Sequence, residues 1–344
     1  MSDIVPRTRT ASPLPLLTAV ALTAAGLALL VFGATTAQLV PLARAAVALL
    51  GLGMTLGGAS RLGKRWAGPG FDVVFWSGAG WLLLLGLAIL FAPWLGLAED
   101  RDVATTVLEP VFSPPAFTGA HPLGTNGFGL DLLARSLYGA RSSLLISLSA
   151  VAIGTVVGGA VGMVAGYFGK AADRAVGIAT NSLLAVPPLI LLIALATVLQ
   201  PRLRNVAFSL ALLTVPGMVR LARATTMAYA NREFVVAARA MGATRSRILL
   251  RELLPNVLLP LLSLAVVMIS VLIVAEASLS FLGLGIQPPE PTWGNMIAEG
   301  EGRVFEQHPH IVLVPGAFLF LTVFAFNIVG EKARGRCDSR SVKL

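Results

Sequence analysis

Charged residues are scarce in this sequence. They make up 12% of the chain, whereas 56% of its residues are hydrophobic. A soluble domain carries about 25% charged residues, so the composition excludes a soluble globular protein and indicates an integral membrane protein. The net charge of +9 does not indicate nucleic-acid binding, because the basic residues lie in short segments beside apolar runs, where they set topology.

Groups that could perform catalysis or hold a metal are also few. The single cysteine, Cys337, excludes an internal disulfide and a cysteine-built metal site. His308 and His310 stand two residues apart near Glu306, a pattern that we interpret as a solvated loop. Residues 166–171 (GYFGKA) lack the first glycine and the Ser or Thr of a phosphate-binding loop. We therefore predict no catalytic residue, no metal site and no cofactor in this chain.

Long hydrophobic runs dominate the rest of the sequence. A helix that crosses a bilayer needs about 20 mainly apolar residues. The runs predict an all-α polytopic membrane protein with about eight transmembrane helices, at residues 14–33, 39–58, 74–96, 143–166, 178–199, 207–224, 256–276 and 310–330.

The basic residues orient these spans. With the N-terminus inside, 19 of the 26 Lys and Arg residues lie on the inner face and 7 on the outer face. Because positive charge accumulates on the cytoplasmic side, we predict that both termini are cytoplasmic and that residues 97–142 and 277–309 lie outside. The one acid close to an otherwise apolar span is Glu276. Its position fits either a hydrogen bond between helices or a gate or pathway role.

Residues 234–256 (FVVAARAMGATRSRILLRELLPN) form a basic, amphipathic segment between two spans, on the predicted inner face. The residues that recur at helical spacing are Phe234, Ala237 or Ala238, and Met241. Gly242 can supply the left-handed turn that ends this helix. A second helix then carries Arg245, Arg247 and Arg251 as far as Pro255. A helix–glycine–helix at the inner face is suited to docking another protein.

Five segments together resemble the inner-membrane permease subunits of binding-protein-dependent ABC importers, in particular the "C"-type subunits of the peptide and nickel class. The segments occur in the order of that family and span about 215 residues of the chain. They are HPLGTNGFGLDLLARSLYGAR (121–141), GYFGKAADR (166–174), FVVAARAMGATRSRILLRELLPN (234–256), EASLSFLGLGIQPPEPTWGNM (276–296) and PGAFLFLTVFAFNIVGEKARG (315–335).

The resemblance implies a six-span permease core, so the predicted eight spans would include an additional N-terminal hairpin. The implied organisation is an extra hairpin with its cytoplasmic loop in residues 1–70, the first core span and external segment in 71–142, and the permease core in 143–344. The core would carry a cytoplasmic coupling loop at about 225–255. In such subunits this loop docks into an ATPase, which implies that role for Phe234, Ala237, Ala238, Met241 and Gly242.

The function implied is half of the translocation pathway of an ATP-driven importer for di- or oligopeptides or similar small solutes. The implied partners are a second homologous permease, two cytoplasmic ABC ATPases, an extracytoplasmic solute-binding protein and membrane lipid, with no nucleic acid. The expected location is the bacterial cytoplasmic membrane. A nickel or metallophore permease is the alternative within the family, and a secondary transporter is the alternative outside it. The resemblance does not identify substrate-binding residues.

The sequence departs from the family pattern at several positions. Val236 stands where a glutamate commonly precedes the two alanines, so that carboxylate's role is not transferred. Asn126 and Leu130 replace the usual aspartate and arginine. The tail over residues 330–340 (GEKARGRCDSR) lacks the usual acidic–arginine pattern.

Overall fold

The computed structural model describes residues 14–35, 41–68, 71–116 and 119–341. Within these ranges the chain is all-α, and the sole β feature is an isolated bridge between Thr125 and Asp131. Residues Ala92–Trp94 form a 3₁₀ turn and Ile248–Leu253 a π-helical segment. The α-helices are α1 (Leu14–Thr35), α2 (Pro41–Ala67), α3 (Val73–Phe91), α4 (Leu132–Phe168), α5 (Lys170–Ala185), α6 (Pro188–Val198), α7 (Leu203–Tyr229), α8 (Glu233–Ala240), α9 (Arg245–Arg247), α10 (Leu254–Phe281), α11 (Trp293–Glu299), α12 (Arg303–Gln307) and α13 (His310–Ser341).

Six candidate membrane spans correspond to the predicted spans from 74–96 onwards. Among the described residues, five segments are long and apolar enough to cross a membrane: Val73–Trp94, Leu132–Phe168, Leu203–Ala230, Arg245–Phe281 and His310–Lys332. The pair α5–α6 is a sixth candidate, bent by 89°. Helices α1 and α2 occupy the first two predicted positions, but the apolar stretch found in α1 covers only Thr18–Leu29. The structure therefore supports a polytopic helical membrane protein without confirming eight spans.

The chain divides into two compact units, and the division falls between Ser77 and Gly78. In the first unit, α1 and α2 pack at close range. A Cβ atom on Gly26 would lie 2.5 Å from the backbone nitrogen of Thr55 and 2.7 Å from the carbonyl oxygen of Gly51. Small residues thus let these two backbones touch.

The core of the second unit lies mainly between α4, α7 and α10. Fully buried residues such as Leu210, Met218 and Ile273 fill it. Four glycines on α4 face α7 at intervals of four residues, namely Gly154, Gly158, Gly162 and Gly166. A Cβ atom on Gly158 would lie 2.6 Å from Cβ of Met218, so only a hydrogen fits there. The spacing places all four glycines along one face of α4, and this face brings the two backbones into contact.

The start of α4 differs from the sequence prediction. The predicted span begins at residue 143, whereas the helix that contains it begins eleven residues earlier, at Leu132. Residues 121–131 are irregular, and α4 then runs for 37 residues without a break. The reason is a cap at Asp131, whose carboxylate accepts a hydrogen bond from the Ala134 backbone N–H at 2.7 Å. At 1.5 Å per residue α4 is about 55 Å long, so it extends well beyond a hydrocarbon core of about 30 Å.

Candidate functional site

The turn after α8 depends on Gly242. Its φ of +80° is a conformation that glycine adopts without a Cβ penalty. The backbone N–H of Gly242 donates to the carbonyl of Arg239, and that of Ala243 donates to the carbonyl of Ala238, both at 3.0 Å. These two bonds form the glycine-capped end known as the Schellman motif. No heavy atom lies within 4 Å of a Cβ built on Gly242, so the backbone conformation, and not space, selects glycine here.

Helix α8 has a buried face and an exposed face. Val235 and Ala238 are buried and pack with Ile248 and Leu253 of the π-helical segment. The exposed face carries Phe234, Ala237 and Met241, and Met241 is 82% exposed. Of the five residues predicted to couple to an ATPase, Phe234, Ala237, Met241 and Gly242 are therefore accessible. Ala238 is instead buried, where it packs α8 against Ile248 and Leu253.

Two arginines attach this segment to the end of α4. The guanidinium carbon of Arg239 lies 5.4 Å from the centre of the Tyr167 ring, and that of Arg245 lies 5.8 Å from the centre of the Phe168 ring. Tyr167 also packs against the cluster that contains Val235 and Ala238. A cation over an aromatic face is worth about 0.5–1 kcal/mol at exposed sites. These contacts join the α8 segment to the end of α4.

After the turn at Gly242, α9 and the π-helical segment lead into α10 without an intervening loop. The hydroxyl of Thr244 accepts a hydrogen bond from the Arg247 backbone N–H at 3.4 Å and caps the single turn of α9. The π-helical segment follows without a break, so the predicted second helix is continuous with the next span. An open cavity of about 290 Å³ beside it is lined by Ser246, Arg247, Leu250 and Arg251. Its two arginines make this surface suited to an acidic partner.

Glu276 is fully buried where α10 faces α4. One carboxylate oxygen accepts a hydrogen bond from the hydroxyl of Ser143 and the other accepts one from Ser280, both at 2.7 Å. The bond to Ser143 joins α10 to α4. Of the two roles that the sequence allowed, this geometry matches the hydrogen bond between helices, and a gate role remains a prediction.

Asn126, at a family position usually held by aspartate, connects the loop before α4 to the end of α11. Its side-chain oxygen accepts the backbone N–H groups of Phe128 and Leu130, both at 3.0 Å. Its side-chain nitrogen donates to Glu299 at 2.8 Å, and Glu299 also pairs with the buried Arg135. An aspartate could accept the two backbone bonds but could not donate to Glu299. No local pattern predicts this pairing, because the two residues are 173 positions apart.

His121 connects two carboxylates in the same loop. Its Nδ1 lies 2.9 Å from Asp131 and its Nε2 lies 3.3 Å from Glu109. Burial lowers the pKa of His121, but the hydrogen bonds to Asp131 and Glu109 outweigh it, so the net pKa is raised above its usual value. The ring of His308 stacks on that of Phe112, with the two ring centres 4.5 Å apart. In the part of the chain that the structure describes, no group of three or more His, Cys, Asp or Glu side chains is arranged to hold a metal ion.

Comparison with known proteins finds one matching family and several relatives of the same kind. The family described as the inner membrane component of binding-protein-dependent transport systems matches residues 158–340. The di/tripeptide transport system permease protein DppC of Pseudomonas aeruginosa is 36% identical over 263 residues, which cover 75% of this chain and 86% of that protein. The dipeptide permease DppC of Alkalihalophilus pseudofirmus is 36% identical over 259 residues, covering 75% and 84%. The glutathione permease GsiD of Pectobacterium atrosepticum is 35% identical over 223 residues, covering 65% and 74%.

Proposed function

Because the chain belongs to the family of inner-membrane components of binding-protein-dependent transport systems, we propose that it imports di- or oligopeptides or similar small solutes. The observation that carries the peptide class is the 36% identity, over three quarters of the chain, to permeases named for dipeptides. A nickel or metallophore permease would share the architecture, but none of the three relatives compared above is named for such a solute. A secondary transporter is disfavoured by family membership.

The proposed core consists of six spans, formed by α3, α4, the α5–α6 pair, α7, α10 and α13. Helices α1 and α2 would then be an additional membrane hairpin, giving eight spans in all. With both termini in the cytoplasm, the end of α2, the α8 segment and the end of α13 share one side of the membrane. This orientation is supported by the 19 basic residues that it places there, against 7 on the other side.

The proposed mechanism couples this chain to ATP hydrolysis in its partners. The exposed Phe234, Ala237 and Met241 dock into one of two cytoplasmic ATPases. Gly242 forms the turn that leads from α8 into α9. Closure of the ATPases then moves the spans between inward-facing and outward-facing states. A second permease completes the pathway, and an extracytoplasmic binding protein delivers the solute. This chain itself contributes no catalytic residue and no cofactor.

Replacing Gly242 with valine tests the coupling role. A β-branched residue at φ +80° costs about 1–2 kcal/mol in backbone energy, and the segment would relax into another turn. We expect normal membrane insertion, loss of ATP-coupled dipeptide uptake and loss of ATPase co-purification. The measurement is uptake of radiolabelled dialanine by vesicles that contain the complete transporter.

Gly335→Val is the matched control, because Gly335 is exposed and no heavy atom lies within 4 Å of a built Cβ. Its φ is not in the left-handed region, so we expect normal uptake. Normal uptake by Gly242→Val at normal expression would refute the coupling assignment. Failure of the unmodified transporter to take up any di- or oligopeptide would refute the peptide class.

A further inference from the structure

Arg247 and Arg251 lie on one exposed face, at the start of the segment that leads into α10. Both are exposed, and together with Ser246 and Leu250 they line the open cavity of about 290 Å³. Within the described residues neither guanidinium forms an ion pair or a hydrogen bond, and the neighbouring Glu252 pairs with neither of them. Two uncompensated positive charges therefore face one cavity, which favours an anionic ligand.

An exposed apolar stripe on α10 continues from this cavity. The stripe consists of Leu258, Leu259 and Leu262, which are between 40% and 49% exposed. Pro255 and these leucines follow Arg251 at intervals of three or four residues, so they lie on the same side of the helix. A ligand that covers the whole surface would need an anionic group at one end and an apolar body at the other. A phospholipid has this arrangement.

The depth of the two arginines matches that of a phospholipid headgroup. The predicted span begins at residue 256, and Arg251 lies five residues before it, which is about 7 Å along the helix axis. The headgroup layer is about 5–8 Å thick on each side of the hydrocarbon core. Long arginine side chains reach such a layer while their aliphatic stems lie along apolar surface. In the proposed orientation this layer belongs to the cytoplasmic leaflet, whose anionic lipids attract basic residues.

We propose that Arg247 and Arg251 bind the phosphate of an anionic phospholipid in the inner leaflet, while the apolar stripe contacts its acyl chains. A guanidinium can donate two parallel hydrogen bonds to one phosphate, so two arginines hold it strongly. Phosphatidylcholine carries the same phosphate, but its ammonium group offsets the negative charge. Because the segment connects α8 to α10, the bound lipid holds the base of the proposed coupling loop at the membrane surface. The inference rests on the proposed function only for the orientation of the chain.

Native mass spectrometry of the complete purified transporter measures the bound lipid directly. The detergent-solubilised complex is titrated with dioleoylphosphatidylglycerol or with dioleoylphosphatidylcholine. The test variant combines Arg247→Gln with Arg251→Gln, and a second variant changes the same two residues to lysine. The matched control combines Arg174→Gln with Arg334→Gln. Both control arginines are exposed, are predicted to lie on the same side of the membrane and do not line this cavity.

We expect the glutamine test variant to bind phosphatidylglycerol about tenfold more weakly than the wild type, because both charge-assisted contacts to the phosphate are lost. The matched control should bind it as the wild type does, and phosphatidylcholine should bind equally to all variants. The lysine variant keeps the charge, so it should bind phosphatidylglycerol more tightly than the glutamine variant. Glycerol phosphate at the same concentration should not displace the lipid, since it has no acyl chains.

Equal phosphatidylglycerol affinity in the wild type and the glutamine test variant would overturn the inference. Loss of the ATPase subunits from that variant would then assign the surface to protein docking. Failure of the lysine variant to bind more tightly, or displacement of the lipid by glycerol phosphate, would also overturn it. These measurements require no transported solute. A transporter that binds the lipid as expected but takes up no peptide would contradict only the peptide assignment.

Discussion

At the scale of single residues, His121 makes stability depend on pH. Its pKa is raised in the folded chain by the carboxylates of Asp131 and Glu109. A group with a raised folded pKa stabilises fully below its unfolded pKa of about 6.5, and the stabilisation is lost as pH rises through the folded value. We expect His121→Gln to lose about 1 kcal/mol at acidic pH and less at alkaline pH. Melting temperatures in detergent across this range measure the difference.

Glu109→Gln is the informative companion variant, because it removes one carboxylate and leaves His121 paired with the buried Asp131. We expect its pH-dependence to be weaker than that of the wild type but still present. A constant melting-temperature gap between the wild type and His121→Gln at every pH would show that the imidazole does not titrate in this way.

The sequence predicted single residues well where the backbone alone decides their position. Gly242 could be placed at the helix end because its conformational freedom is a local property. Ala238 could not be separated from Ala237, since the spacing of apolar residues does not say which side of α8 meets Ile248 and Leu253. The Asn126–Glu299 hydrogen bond could not be predicted for a related reason. It depends on how the loop before α4 meets the end of α11, which is distant in the sequence.

At the scale of elements, the contact between Arg239 of α8 and Tyr167 of α4 leads to a prediction about Tyr167. Tyr167→Leu keeps an apolar side chain but removes the ring under Arg239. We expect ATPase subunits to co-purify as before, because the exposed face of α8 is unchanged. We expect fewer dialanine molecules imported per ATP hydrolysed, since α4 then follows α8 less closely.

Tyr167→Phe is the control, because it keeps the ring and loses only the hydroxyl. Its coupling ratio should equal that of the wild type. Equal ratios for the leucine and phenylalanine variants would exclude a role for the ring, whereas loss of ATPase binding in the leucine variant would place the defect in docking instead.

Span positions were predictable, but the packing between spans was less so. The apolar runs located the candidate spans from Val73 onwards because hydropathy is a local property. The glycines facing α7 at 154, 158, 162 and 166 were missed, although their spacing of four was a usable signal for close helix contact. The helix that contains the span predicted at 143–166 begins at Leu132, because the cap at Asp131 and the burial of Ala134 and Ser136 determine its start, and hydropathy does not report either of them.

At the scale of the whole molecule, helices α1 and α2 belong to a compact unit of their own. Helices α1 and α2 pack on each other in the unit that ends at Ser77. The main core cluster of the described residues begins at Leu85 and extends through α4, α7 and α10. The family match begins at residue 158, so it does not include the hairpin. The predicted domain boundary at residue 70 stays a prediction, close to the division between the two units.

This separation predicts that a shortened chain is functional if its topology signals are kept. We expect residues 60–344 to insert and to import dialanine with the other subunits, because Arg61, Lys64 and Arg65 still hold the start of α3 on the cytoplasmic side. The same chain with these three residues changed to alanine should insert poorly, since little positive charge then precedes the first span. Protease protection of a C-terminal tag and uptake measure the two properties. If residues 60–344 insert correctly but import nothing, the hairpin takes part in transport and the two units are not functionally separable.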